Sequence, residues 1–121
     1  MTIVTPAAVE RRLVELSKEL DEANTELVAA EHEYMRAKSD WEIRGARARL
    51  GLKSKAAEQG QKMTVQDVED AAIIQCEQEL MAYNASEAVV RAARGNIVRV
   101  RTQIDIARSV GTSVRSSMDI A

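Results

Sequence analysis

Residues 41–62 carry six cations and only two acids, although the whole chain of 121 residues has a net charge of -2. Arg44, Arg47, Arg49, Lys53 and Lys55 stand two to four residues apart, beside Gly45 and Gly51. Cations set this closely neutralise phosphates, and such contacts hold a nucleic-acid backbone without reading its sequence. These five residues are therefore the candidate nucleic-acid-binding set, with Lys62 at the edge of the block. The competing use is charge balance, because residues 63–87 hold six acids and no base. A secondary basic ladder, Arg94, Arg101, Arg108 and Arg115, recurs every seventh residue, and Glu19, Glu26, Glu33 and Asp40 form an acidic ladder of the same step. Seven residues are nearly two helical turns, so each ladder is a stripe along one helix of the kind coiled coils use to select partners.

Catalytic chemistry has no comparable signal. His32 is the only histidine and falls on the polar side of the first helix, where a solvated ring is expected. Cys76 is the only cysteine, which excludes an intrachain disulfide, and its place on an apolar stripe makes it a small core residue. No Cys/His cluster has metal-ligand spacing, and no cofactor is implied. The run Gly45 to Ser54 mimics a phosphate-binding loop but has five residues between its glycines, a leucine before its lysine and no preceding strand. No catalytic residue, metal ligand or enzyme activity is expected.

The elements that would carry these charges are long helices. Aromatics make up 2% of the chain, phenylalanine is absent, and glycine and proline are scarce, a composition that favours an all-α fold over sandwiches or barrels. Thr5-Pro6 reads as an N-cap and first helical position. From Val9 the apolar residues step four and three through Leu13, Leu16, Leu20, Ala23, Leu27, Ala30, Tyr34, Ala37 and Trp41, a heptad seam that loses definition at Arg44 and Gly45. Gly60 ends the helix and Thr64-x-x-Asp67 opens the next as a capping box. There Cys76, Tyr83, Val90, Ile97 and Ile104 are seven apart, with Ala93, Val100, Ala107 and Val114 three behind. The expected architecture is a single domain over residues 1–121, a long antiparallel hairpin with coiled-coil heptads. Helix 1 covers about 6–57 with a possible bend at 45–51, a turn covers about 58–63, helix 2 about 64–114, and a frayed tail 115–121. Val89 and Val110 widen the second stripe, so self-association into a homo-oligomeric bundle or ring is expected.

Charge blocks support the hairpin. Residues 1–40 hold nine acids and five bases, and residues 88–121 hold six bases and two acids, so a fold near residue 60 sets each block against one of opposite sign. With Leu13 at heptad position a the acidic ladder falls at g, and with Val90 at a the arginines fall at e. An antiparallel pair apposes g with g and e with e. The two ladders are thus expected to pair between subunits, or to leave the arginines for a polyanion, unless the second helix takes a different register. No apolar run approaches the ~20 residues needed to span a bilayer. The opening residues lack a basic and an apolar region, so no signal peptide and a cytoplasmic location are expected, the host cytoplasm if phage-encoded.

Three stretches resemble a family of small phage proteins related to the recombination mediator UvsY. They are Ala29 to Lys38, an acidic-to-Tyr-to-Lys helix; Arg47-Ala48-Arg49-Leu50, similar to a Lys-Ala-Arg-Leu stretch to which DNA binding is attributed; and Ile97 to Ser109, which resembles the closing helix. The resemblance covers most of residues 20–118 and is one of pattern. It implies a helical homo-oligomer that binds single-stranded DNA and helps load a RecA-like recombinase onto strands covered by single-strand-binding protein. Arg47 and Arg49 would be its DNA-contacting pair. The alternative is a coiled-coil adaptor or host-directed phage inhibitor that binds a protein partner without nucleic acid.

Overall fold

A chain rich in Ala, Leu, Glu and Arg, with little glycine or proline, favours uninterrupted helix. The computed structural model describes residues 4–120 and contains three helices and, among those residues, no strand. Helix α1 spans Pro6–Glu58, α2 spans Val65–Gln75 and α3 spans Glu77–Ile120.

The helix ends follow from local chemistry. Thr5 Oγ1 accepts the Ala8 amide at 3.2 Å, which satisfies one orphan donor ahead of the proline. At the other end of α1, Gly60 sits at φ 67°. There the Gly60 amide donates to the Ala57 carbonyl at 3.2 Å, and the Gln61 amide donates to the Ala56 carbonyl at 2.9 Å. This pair of reversed bonds closes the helix and needs a left-handed residue, which glycine adopts at least cost. Four residues later Thr64 Oγ1 accepts the Asp67 amide at 3.0 Å while Asp67 Oδ2 accepts the Thr64 amide at 3.3 Å, so the expected capping box opens α2.

Three expectations need correction. The seam does not end at Gly45: α1 is unbroken helix through 45–51, and Gly45 is buried as a seam residue, carrying the four-and-three step from Trp41 through Ala48 and Leu52 to Ala56. Without a side chain, Gly45 fills the seam position that an apolar residue fills elsewhere, so the loss of apolar pattern there does not end the seam. The second helix is not a single element from 64, because it breaks at Cys76, whose φ of -108° and ψ of 29° leave the helical region. Backbone bonding still crosses the break, with Cys76 donating to Ala72 and accepting from Leu80. Nor does the tail fray at 115, since α3 runs on to Ile120. Gly111 explains this docking. It is buried, and a Cβ there would stand 3.0 Å from Val9 Cγ1, so any larger residue would press on the Val9 side chain.

By packing, the chain forms two compact units, one formed by residues up to Ala29 with those from Arg91 onward, the other by Ala30–Val90. The first pairs a segment of α1 with one of α3, and the second sets the end of α1 against α2 and the start of α3. In the first unit Leu16 and Val100 are almost wholly buried, with Val9, Ala23 and Ile97 beside them. In the second, Ala48, Ala72 and Cys76 form the core, and Trp41 and Leu52 pack against it. The small core residues let the helices approach closely. The expected seam residues of α1 and of α2–α3 are all buried or half-buried.

Tyr34 and Tyr83 meet across the second unit's seam, with ring centroids 5.6 Å apart, edge to face, and hydroxyls 3.4 Å apart. The hydrogen bond to Tyr34, then desolvation, then the nearby Glu87 and Glu42 push the Tyr83 phenol up to about 12. The folded chain therefore holds this proton more tightly than the unfolded chain. Its contribution to stability is whole below pH 10 and is lost as pH rises through about 12. An absorbance titration should show one tyrosine ionising near 12 in the native protein and returning towards 10 in Tyr34→Phe. In denaturant melts, Gly60→Ala should lose about 1 kcal/mol because it forces alanine into the left-handed region. Gly51→Ala, whose Cβ meets nothing within 4 Å, should gain roughly 0.5–1 kcal/mol from helix propensity.

Candidate nucleic-acid interface

About 100° separates successive residues on an α-helix, so the basic block cannot present all its cations on one side. Trp41, Ala48, Leu52 and Ala56 form the seam of α1 in the second unit. Arg44, Arg47, Gly51 and Lys55 follow one flank of that seam at steps of three and four, and Arg49 and Lys53 follow the other. The structure shows the consequence. Arg44, Arg47 and Lys55 line one groove, with Gln75 and Glu79 supplied from across the seam and Ala48, Leu52 and Cys76 at its base. Gly51 lies in the same groove, exposed, and leaves room between the cations. The groove holds about 630 Å³.

Charge balance claims part of the block. Arg44 Nε donates to Asp40 Oδ1 at 2.9 Å, and Arg44 Nη1 reaches Glu79 Oε1 at 3.3 Å. The Asp40 hydrogen bond, then the charges of Asp40 and Glu79, raise the Arg44 pKa above its ordinary value. On the other flank Arg49 Nε lies 3.7 Å from Glu69 Oε1. The acidic block after the turn therefore does reach back to the basic one. Among the described residues, however, no ion pair engages Arg47, Lys53 or Lys55, and all three are exposed. Lys62 is exposed in the turn and does not line the groove.

Of the five sequence-derived cations, the fold thus brings together Arg44, Arg47 and Lys55. Arg49 and Lys53 are turned away from them. Gln75 and Glu79 were not anticipated, because nothing in their spacing ties them to the block of residues 44–55. The split between flanks was readable from helical periodicity applied to residues 44–55. Trp41 and Tyr34 are half-buried seam residues, so they pack rather than offer stacking faces. Cys76 is buried in the core as expected.

The two ladders do not meet as ion pairs in the bonds observed. Glu19 turns to Arg12 at 3.8 Å, Glu33 binds Arg36 at 2.7 Å, and Asp40 binds Arg44, all within α1. The Arg36 hydrogen bond holds the Glu33 carboxyl below its usual range. Arg115 Nε donates to its own helix at the Gly111 carbonyl, and Arg94 is engaged. Arg101 and Arg108 carry no ion pair among the described residues.

Among the described residues no group of three or more His, Cys, Asp or Glu side chains could hold a metal ion. Among the described residues no helix is long and apolar enough to cross a membrane. Compared with models of protein families, with curated proteins and with solved structures, the chain matches none. The ion pairs flanking the groove are half-exposed, with the Arg44 side chain 58% and Glu79 20% accessible. Exposed pairs contribute at most about 1 kcal/mol. In denaturant melts Glu79→Gln should therefore lower the unfolding free energy by less than about 1 kcal/mol and leave the helical circular-dichroism signal unchanged.

Proposed function

We propose that the chain is a non-enzymatic, single-stranded DNA-binding recombination mediator that helps load a RecA-like recombinase. One observation carries the binding half of this reading: Arg47 and Lys55 point into one groove with Arg44 and have no carboxylate of their own. Arg44 to Lys55 is eleven residues, or about 16 Å of helix rise, a track for a few successive phosphates. Aromatic faces are occupied by packing, so affinity would come from charge, without sequence preference and with strong salt dependence. The mediator half rests on the resemblance in pattern of Ala29 to Lys38, Arg47 to Leu50 and Ile97 to Ser109 to UvsY-related phage proteins. Self-association into a bundle or ring would set copies of this weak groove side by side and let them act together on one strand. A RecA-like recombinase or single-strand-binding protein would be the protein partner, in the cytoplasm, of the host if phage-encoded.

A second reading, a coiled-coil adaptor or host-directed inhibitor, is favoured by a different observation. Ile43 and Leu50, seven residues apart on α1, are 52% and 67% exposed, and Val65 and Ile74 are 78% and 74% exposed. Apolar side chains this open suit a partner helix.

Anisotropy of labelled oligo-dT at two salt concentrations separates the two. The mediator reading expects binding that falls with salt, at about 0.7 of a decade per decade for each phosphate engaged on a single strand. Arg47→Ala/Lys55→Ala should weaken binding and lower that slope by about 1.4, while Arg49→Ala, a residue facing Glu69, should change it much less. An absence of binding at low salt would favour the adaptor. Loading is read separately, as faster assembly of a RecA-like recombinase on strand coated with single-strand-binding protein.

A further inference from the structure

The first compact unit has two unlike faces. On one, Arg12 borders an apolar groove with Ile106 and Val110, and Glu19 reaches Arg12 at 3.8 Å. Glu26 follows one heptad after Glu19 on the same stripe. On the other, Arg108 and Arg115 border a separate groove with Glu10 and Leu13, and Arg101 lies one heptad before Arg108. This division follows from the antiparallel seam, which gathers position g of both helices on one side and position e of both on the other. The ladders therefore cannot neutralise one another inside one unit. Among the described residues Glu26, Arg101 and Arg108 are without ion pairs, and Ile106 and Val98, on the two faces respectively, are 58% and 62% exposed.

We propose that these two faces bind each other between copies of this chain, α3 of one copy lying across the acidic, apolar face of the next. The occupant is a second copy because the charges match by position. Val9 stands against Gly111, so Glu19, ten residues on, is level with Arg101, ten residues back. A rotation axis parallel to the helices introduces no axial shift, and the same levels then apply between neighbours. Glu19 faces Arg101 of the next copy, and Glu26 faces the level of Arg94. Nearer the end, Arg12 is level with Arg108, and Glu15 with Asp105. Three residues are about 4.5 Å of rise, so long side chains there pair crosswise, Glu15 with Arg108 and Arg12 with Asp105. Individual pairs of this kind add little affinity, but together they fix which face meets which. The contact joins unlike faces, so it repeats from copy to copy until it closes into a ring. It presupposes the self-association proposed above and specifies the surface that performs it.

Light scattering on charge-reversed chains tests this. The wild-type mass is expected at several times 13.3 kDa. Glu19→Lys/Glu26→Lys and Arg101→Glu/Arg108→Glu should each fall to the single-chain mass while keeping helical circular dichroism. Mixed in equal amounts, they should regain the wild-type mass, because each supplies the face the other has lost. If both variants keep the wild-type mass, or if their mixture fails to reassemble, the face assignment is overturned and self-association stands. A wild-type chain that is monomeric overturns both.

Discussion

A seam only one or two side chains wide decides what every other residue on this chain can do. Helical residues that step four and three, many of them alanine or glycine, bury a narrow strip and leave the rest of each helix in water. Helices of 53 and 44 residues owe their persistence to that strip, since propensity alone gives marginal stability and packing supplies the remainder. At Ala48, Ala72 and Cys76 the strip is made of small residues, which allow close helix approach. Side chains on its flanks are then held near the opposite helix without being buried by it. Arg44 meets Glu79 and Arg49 meets Glu69 for this reason.

The same geometry makes charge on this chain directional. A cation on either flank of the seam meets the acids on its own side only. The six cations of residues 41–62 stand against six acids in residues 63–87, yet the pairing is uneven from one residue to the next. Arg44 and Arg49 are satisfied, and Arg47 and Lys55 are not. A local excess of positive potential can therefore persist in an acidic protein, and net charge is a poor guide to what such a surface binds. In the first unit the seam sorts acidic and basic ladders to opposite sides, which turns a charge pattern into a pair of complementary faces.

Much of this was legible in the sequence, because periodicity and caps are local. The residues from Val9 to Trp41 lie along the seam as their spacing implies, and Thr5, Gly60 and Thr64 mark helix ends through bonds they make with near neighbours. The misreadings share a cause. Gly45 and the Ser/Thr-rich end of α3 were judged by intrinsic preference, whereas Gly45 is buried in the seam and Gly111 docks the end of α3 against Val9. The break at Cys76 has no proline or glycine to announce it. The composition of the basic groove required knowing what stands across the seam, and Gln75 and Glu79 enter it only through the register of the pairing.

Reactivity of two neighbouring lysines offers the most direct check that the groove takes phosphate. Lys53 and Lys55 are both exposed and only two residues apart, yet they lie on different flanks of α1. Labelling with an amine-reactive reagent, read by mass spectrometry with and without saturating oligo-dT, compares them within one molecule. Strong protection of Lys55 with Lys53 still reactive is the predicted result. Equal protection of both, or protection of Lys53 alone, would contradict a strand bound in the groove of Arg44, Arg47 and Lys55.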